Sequence, residues 1–317
     1  MPSVMNLVTV AAQTKGLVKD LLESPRWRRR PQHLAFEITG ACDAKCIHCP
    51  RQEMDRPKRQ MPFELFQRMI DQAAEMRIPD LVPNGYGEVL LIRNLGDYLE
   101  HVRRKPHRFR ILCNTNGHMM TDEKIDLFLK YRVHLLNITI DGATPETAQS
   151  VRVGLDTRQI EDNIHRLLAR RKASGLRYPK VRVGMVLIPQ NRHEAEAFLK
   201  KWAGVVEYVG LGGFSSRIGS REVQEEKLHD LQEPHPCVLP FRELNIWSDG
   251  KAVLCCEDWN EEHVVGDLNT QSLSEIWRGA VLRQARRLHA RLQGDQIGIC
   301  ARCNAWRKPS PTARLWV

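Results

Sequence analysis

No run of apolar residues in this sequence approaches the roughly 18 positions that a membrane-crossing helix needs, which excludes a helical membrane span. The opening segment MPSVMNLVTVAAQTKGLVKDLL is apolar only in patches, lacks a basic start and is interrupted by Lys15, Lys19 and Asp20. It reads as an amphipathic helix rather than a secretory signal. Aromatic residues are scarce, at 6% of 317, and no zinc-finger, recognition-helix or RNA-binding aromatic signature accompanies the basic run PRWRRR at 25–30. The net charge of +10 is therefore read as a solvated basic face with mild attraction for anions, and no nucleic-acid partner is expected. Internal repeats and low-complexity segments are absent as well. What these absences leave is a cytoplasmic globular protein. In that compartment closely spaced cysteines speak of metal or catalysis before disulfides.

What is present is enough for one large α/β domain, or one of about 200 residues with a smaller companion. Hydrophobic residues make up 42% and charged residues 27%, so a sizeable core can be buried. Apolar runs and amphipathic stretches alternate every 30 to 40 residues. Strands are predicted at 34–39, 80–84, 108–113, 134–140, 181–188 and 205–211, and helices at 62–76, 95–104, 122–131, 157–174 and 193–202. Six strands separated by helices predict a parallel sheet. Each strand runs into a loop rich in Gly, Asn, Asp or Cys (TGACDAKC, NGYGE, NTNG, DGAT, PQN, GGFSS). In parallel barrels such loops converge on one mouth.

The first of those loops holds Cys42, Cys46 and Cys49, spaced C-x3-C-x2-C, with no fourth cysteine nearby. A tetrahedral zinc site would need His48 as its fourth ligand, but His48 adjoins Cys49 and the two side chains can hardly share one metal. A [4Fe–4S] cube held by three thiolates instead keeps one iron open for a small molecule.

This loop, placed after a first strand, resembles the signature of radical S-adenosylmethionine enzymes, and the later loops are similar to that family's motifs in order. NGYGEVLL at 84–91 resembles its glycine-glycine-glutamate motif, with Tyr86 in place of a usual glycine. NTNG at 114–117 and TIDGATPE at 139–146 resemble the motifs after strands three and four, and Arg152 follows where the family often carries an arginine. The resemblance covers roughly 34–215 and implies a partial (β/α)6 TIM-type barrel. It also implies S-adenosylmethionine on the open iron and reductive cleavage to a 5′-deoxyadenosyl radical, with electrons from a flavodoxin or ferredoxin. On that reading Gly87 and Glu88 hold the methionine amino group, Arg152 lies near its carboxylate, and Asn116, Thr139 and Asp141 lie near methionine and ribose. Residues around Met185 lie near adenine, and His48 becomes a wall of the adenosine pocket. Plain strand packing stands as the alternative for Thr139 and Met185.

After a polar linker at 216–236 the tail, 237–317, is expected to form a small α+β domain. FRELNIWSDGKAVLCC reads as a β-hairpin around Ser248-Asp249-Gly250, and SLSEIWRGAVLRQARRLHARL as a helical segment. The 33 residues before the first strand are set apart as a helical extension. The closing C-x2-C pair admits a zinc-ribbon reading. The whole arrangement resembles the shortened SPASM, or twitch, auxiliary-cluster domain, which implies a second [4Fe–4S] cluster on Cys237, Cys255, Cys300 and Cys303. Four thiolates leave no open iron, so this cluster would move electrons. Cys113 reads as a buried small hydrophobe. Cys256 is left with three readings: inert, exchangeable with Cys255, or a hydrogen-atom donor. With Arg152 and Asp258 it completes the candidate catalytic set, and Glu257 and Trp259 are possible neighbours of the substrate. The twitch spacing resembles that of radical dehydrogenases acting on an aminocyclitol alcohol, implying oxidation of a sugar, cyclitol or aminoglycoside. Epimerisation quenched by Cys256 and modification of a ribosomal peptide are the alternatives.

Overall fold

A computed structural model describes residues 29–213, 236–303 and 306. The expected N-terminal helix and the linker fall mostly outside these residues.

In chain order the strands are β1 (His33–Phe36), β2 (Lys45–Cys46), β3 (Asp80–Pro83), β4 (Arg110–Thr115), β5 (Leu135–Thr139), β6 (Arg152–Val153), β7 (Lys180–Leu187), β8 (Tyr208–Gly213), β9 (Glu243–Ile246), β10 (Lys251–Val253) and β11 (Val264–Asp267). The α-helices are α1 (Phe63–Glu75), α2 (Leu95–Arg104), α3 (Asp122–Lys130), α4 (Pro145–Val151), α5 (Thr157–Ala173), α6 (Ala195–Trp202), α7 (Leu239–Arg242), α8 (Leu273–Trp277), α9 (Ala280–Ala290) and α10 (Gly298–Ala301).

Strands β1, β3, β4, β5, β7 and β8 lie side by side in sequence order, and each neighbouring pair is parallel. Helical crossovers join them into a partial (β/α)6 barrel. The helices turn apolar stripes inward. In α1 the buried set is Leu65, Phe66, Met69, Ile70 and Ala73, a three- and four-residue spacing that covers one face. Their starts are fixed locally. The Thr121, Thr144 and Asp156 side chains accept backbone N–H bonds at the heads of α3, α4 and α5. The core runs from Leu34 and Phe36 on β1 through Phe66, Ile111, Phe128, Leu136 and Val183 to Trp202 on α6.

The tail joins this sheet. Strand β9 pairs parallel to β1 on the edge away from β3, in the register His33 to Glu243 through Phe36 to Ile246. The predicted hairpin is the antiparallel β9–β10 pair, turning at Gly250, whose φ of +95° suits a residue without Cβ. Strand β11 adds a further antiparallel edge.

Three expectations change. The first strand leaves the sheet after Phe36 rather than Thr39, because Glu37 and the residues beyond it build the site. The single helical segment at 272–292 is two helices: a capping box of Ser272 and Glu275 starts α8, and Gly279 caps α9 after a break. Helix α4 was not foreseen; seven residues carry too little periodicity to be read.

Candidate iron-sulfur and substrate site

The C-x3-C-x2-C loop leaves β1 and is gripped by its neighbours. Its Lys45-Cys46 pair forms a two-stranded antiparallel ribbon with β6, which sets Cys46 opposite Arg152. The Arg152 guanidinium consequently lies 3.8 Å from Cys46 Sγ. It also donates through Nε to Asp141 Oδ2 at 2.7 Å. Asp141 is fully buried at a φ of +65° and accepts from Val186 N at 2.6 Å with its other oxygen. Loop four thus carries the carboxylate that aims the arginine at loop one. His48 Nε2 lies 3.7 Å from the same Asp141 oxygen, and burial pushes its imidazole toward the neutral form against the pull of Asp141.

Loops two and three hold the other side. Gly87 passes so close to β1's exit that a Cβ there would sit 1.8 Å from Thr39 O, so only glycine fits. Glu88 N donates to Ala41 O at 2.7 Å. The Glu88 carboxylate is buried and accepts from Thr115 Oγ1 at 2.6 Å, Asn116 N at 2.8 Å and Leu90 N at 3.0 Å. Asn116 Nδ2 donates to Asp43 Oδ1 at 2.7 Å, and His118 Nδ1 lies 2.9 Å from Asp43 Oδ2. Asp43 follows Cys42 directly, so the third loop holds the cysteine loop through it. Arg51 closes the turn by donating to the carbonyls of Cys42 and Ala44, both at 3.2 Å.

The thiols are set for a polynuclear group. Burial pushes the Cys42 thiol up to about 12 and raises that of Cys46. Iron would reverse this by binding the deprotonated form. Donors already face the sulfurs: Ala44 N lies 3.5 Å from Cys42 Sγ, and Arg152 faces Cys46. Among the described residues no three His, Cys, Asp or Glu side chains converge as a single ion requires.

A cavity sits in the tail. Cys237, Cys255, Cys300 and Cys303 line it together with Glu257 and His289. Leu239, Leu254 and Ile299 supply apolar wall. Cys256 is not among the lining residues, and its carbonyl accepts from the Tyr86 hydroxyl at 2.9 Å. Burial, then Glu257, Cys256, Cys49 and Cys255, push the Tyr86 phenol well up. Tyr86 thus reaches from loop two to the backbone of Cys256, next to Cys255, with its ring edge against Trp247.

The structure brings together His48, Arg152, Asp141, Asn116 and Glu88 around the first loop, with Thr139 half-buried at the end of β5. Two expectations shift. Met185 is 1% exposed within the core, which favours strand packing. Asp258, expected to be catalytic, is fully buried and spends its carboxylate on Glu262 N and His263 N, both at 2.8 Å. It holds a turn. Sequence reading missed Asp43, Arg51, His118 and His289, and also Glu37, which pairs with Arg56 through bonds of 2.6 and 2.7 Å. The partners that Asp43 meets, Asn116 and His118, lie more than seventy residues along the chain, so no local spacing marks that contact.

This constellation on a partial barrel matches known proteins. The model of the Radical SAM superfamily fits residues 36–201, and the SPASM model, an iron-sulfur cluster-binding domain, fits residues 237–304. The chain belongs to the radical SAM superfamily and carries an iron-sulfur tail of the SPASM kind. Those domains imply [4Fe–4S] clusters and S-adenosylmethionine.

Among curated relatives, the subtilosin biosynthesis protein AlbA of Bacillus subtilis is 27% identical over 123 residues, 38% of this chain and 27% of its own length. The S-adenosyl-L-methionine-dependent 2-deoxy-scyllo-inosamine dehydrogenase of Niallia circulans is 18% identical over 276 residues, 86% of this chain and 92% of its own. The chain spans 27%, 45% and 34% of the first three curated relatives it matches. In structure it resembles BtrN in complex with AdoMet and 2-DOIA, with a TM-score of 0.58, 17% identity, and 87% and 92% of the two chains covered. It also resembles Streptococcus suis SuiB bound to precursor peptide SuiA, with a TM-score of 0.68, 12% identity, and 90% and 73% covered. At such identities these likenesses speak for the fold. No helix among the described residues is long and apolar enough to cross a membrane.

Proposed function

We propose that this protein is a radical oxidoreductase that converts a secondary alcohol of a sugar, aminocyclitol or aminoglycoside to a ketone. Cys42, Cys46 and Cys49 would hold the cluster that binds S-adenosylmethionine, and Cys237, Cys255, Cys300 and Cys303 a second [4Fe–4S] cluster. When bound, these groups supply hydrogen-atom abstraction at the first site and a one-electron acceptor at the second. The observation that carries the reading is the bond from the Tyr86 hydroxyl on loop two to Cys256 O, which ties the barrel's second loop to the turn whose Cys255 lines a cavity with three other thiols. Loss of a hydrogen atom on one side and of an electron on the other is what the oxidation of an alcohol carbon requires.

The chain's own groups have distinct parts. Arg152, aimed by Asp141, presents its remaining N–H donors to the methionine carboxylate. Glu88 and Asn116, bonded to each other and to the Asp43 side, fix the loop that the methionine amino group meets. Glu257, a wall residue of the cavity whose charge bears on Tyr86, accepts the hydroxyl proton. Leu239, Leu254 and Ile299 restrict water at the tail cavity. A flavodoxin- or ferredoxin-type protein delivers the first electron.

The dehydrogenase reading draws on a relative whose length matches over 92% of its own chain. A peptide substrate is the second reading, favoured by the TM-score of 0.68 to a peptide-bound structure. Anaerobic turnover of reconstituted protein separates them. Alcohol oxidation predicts 5′-deoxyadenosine formation with a product two mass units lighter and no deuterium taken from D2O. Solvent deuterium at one carbon, lost with Cys256→Ala, would instead establish epimerisation. Stimulation by peptides alone would sink the small-molecule reading.

A further inference from the structure

His289 stands on the last turn of α9 and is 1% exposed. Among the described residues neither ring nitrogen has a hydrogen-bond partner, an expensive arrangement for a buried polar ring. The ring lines the same cavity as Cys237, Cys255, Cys300 and Cys303. It is braced there. Trp306 meets it edge-on at 5.9 Å between centroids, and Trp306 in turn donates through Nε1 to Cys300 O at 2.8 Å. On the other side Gly294 passes so close that a Cβ there would lie 2.7 Å from the His289 Cε1.

A buried imidazole fixed on two sides, with its nitrogens unspent, shares this cavity with four thiols, hydrocarbon and the carboxylate of Glu257, so sulfur is the partner it meets most. We propose that His289 donates an N–H hydrogen bond to sulfur of the auxiliary cluster and sets that cluster's reduction potential. The four thiolates already complete the iron ligation, so His289 is a positioning and tuning residue rather than a ligand. A donor to cluster sulfur stabilises the more negative, reduced state, which raises the potential and makes the cluster a better electron acceptor. The inference rests on the assignment of a second cluster to those four cysteines and deepens it.

The test begins with unmodified protein, reconstituted anaerobically, with irons counted. About four irons per chain, rather than about eight, would overturn the second-cluster assignment itself. With both clusters present, pulsed electron paramagnetic resonance of the reduced auxiliary cluster should show a weak nitrogen coupling that changes when only histidine carries 15N. Absence of any histidine-dependent coupling would overturn the role of His289, and a strong coupling diagnostic of an iron-bound imidazole would replace the hydrogen bond by ligation. Redox titration supplies the second readout. His289→Leu should shift the auxiliary midpoint potential downward while the first cluster's stays in place, and His289→Gln, which keeps an N–H donor, should shift it less. Equal potentials in all three proteins at full iron content would also overturn the proposal. Should the leucine variant fail to retain the cluster, the glutamine variant and the labelled wild type still decide it.

Discussion

Cys255 and Cys256 are adjacent in sequence and face different surroundings. The Cys255 thiol lines the four-cysteine cavity, and burial together with Cys256, Glu257 and Cys237 raises it well above an ordinary thiol. Cys256 sits on the Tyr86 side, its carbonyl accepting from that hydroxyl. Replacing Cys255 by Ala should lower the iron content of anaerobically reconstituted protein from about eight to about four. Cys256→Ala should leave it unchanged. Equal iron loss in both variants would contradict the assignment. The cysteine loop stood out in the sequence by its tight spacing, and the fold sets Cys237, Cys255, Cys300 and Cys303 around one cavity. The choice between neighbours was not legible, because it depends on which way a turn directs each side chain. His289 and Asp43 were silent for a related reason: their sequence neighbourhoods look like an ordinary helix end and an ordinary loop, and only the fold reveals what they meet.

At the scale of elements, Asp80 shows how the sheet is fixed at the end of the strands remote from the site. It opens β3, opposite His33 on β1 and Arg110 on β4. His33 Nδ1 lies 3.0 Å from its carboxylate, and Arg110 donates two bonds of 2.6 and 2.9 Å. Burial alone would raise the Asp80 carboxyl, and the hydrogen bonds from His33 and Arg110 outweigh it and hold it below the usual range. Because the folded-state value is the lower one, this stabilisation is present above the unfolded pKa of roughly 3.9 and fades as pH falls through the folded value. Asp80→Asn should therefore cost about 1–3 kcal/mol in denaturant unfolding at pH 7, with the deficit narrowing below pH of about 4. A deficit constant from pH 7 to pH 3 would refute the ionic account. The parallel strands themselves were readable as short, mostly apolar stretches bounded by turn residues. The two-residue strands β2 and β6 were not, because they exist only by pairing with each other across more than a hundred residues.

For the molecule as a whole, the question is what ties the auxiliary tail to the barrel so that the Tyr86 hydroxyl of loop two reaches Cys256 O. Part of the answer is the edge pairing of β9 with β1, which no local pattern could announce. The rest is a buried node around Glu37, the residue after β1. Its carboxylate takes both guanidinium bonds from Arg56, the Tyr86 N–H at 3.0 Å and the Ser248 hydroxyl at 3.1 Å. Arg56 continues to Trp259 O at 2.7 Å and stacks over the Trp247 ring at 4.9 Å. Loop one, loop two, the hairpin turn and the segment after Cys256 thus meet at one ion pair. Removing only the arginine would strand a buried carboxylate, at a cost of about 3–5 kcal/mol. Arg56→Met should lower unfolding stability by that amount and loosen the tail, so that bound iron falls toward about four per chain while the first loop keeps its own. The double variant Glu37→Gln with Arg56→Met should recover much of the stability, since no charge is then stranded. If the double variant is instead as unstable as the sum of the two single changes, the node does not act as a coupled pair, and the edge pairing of β9 alone carries the join.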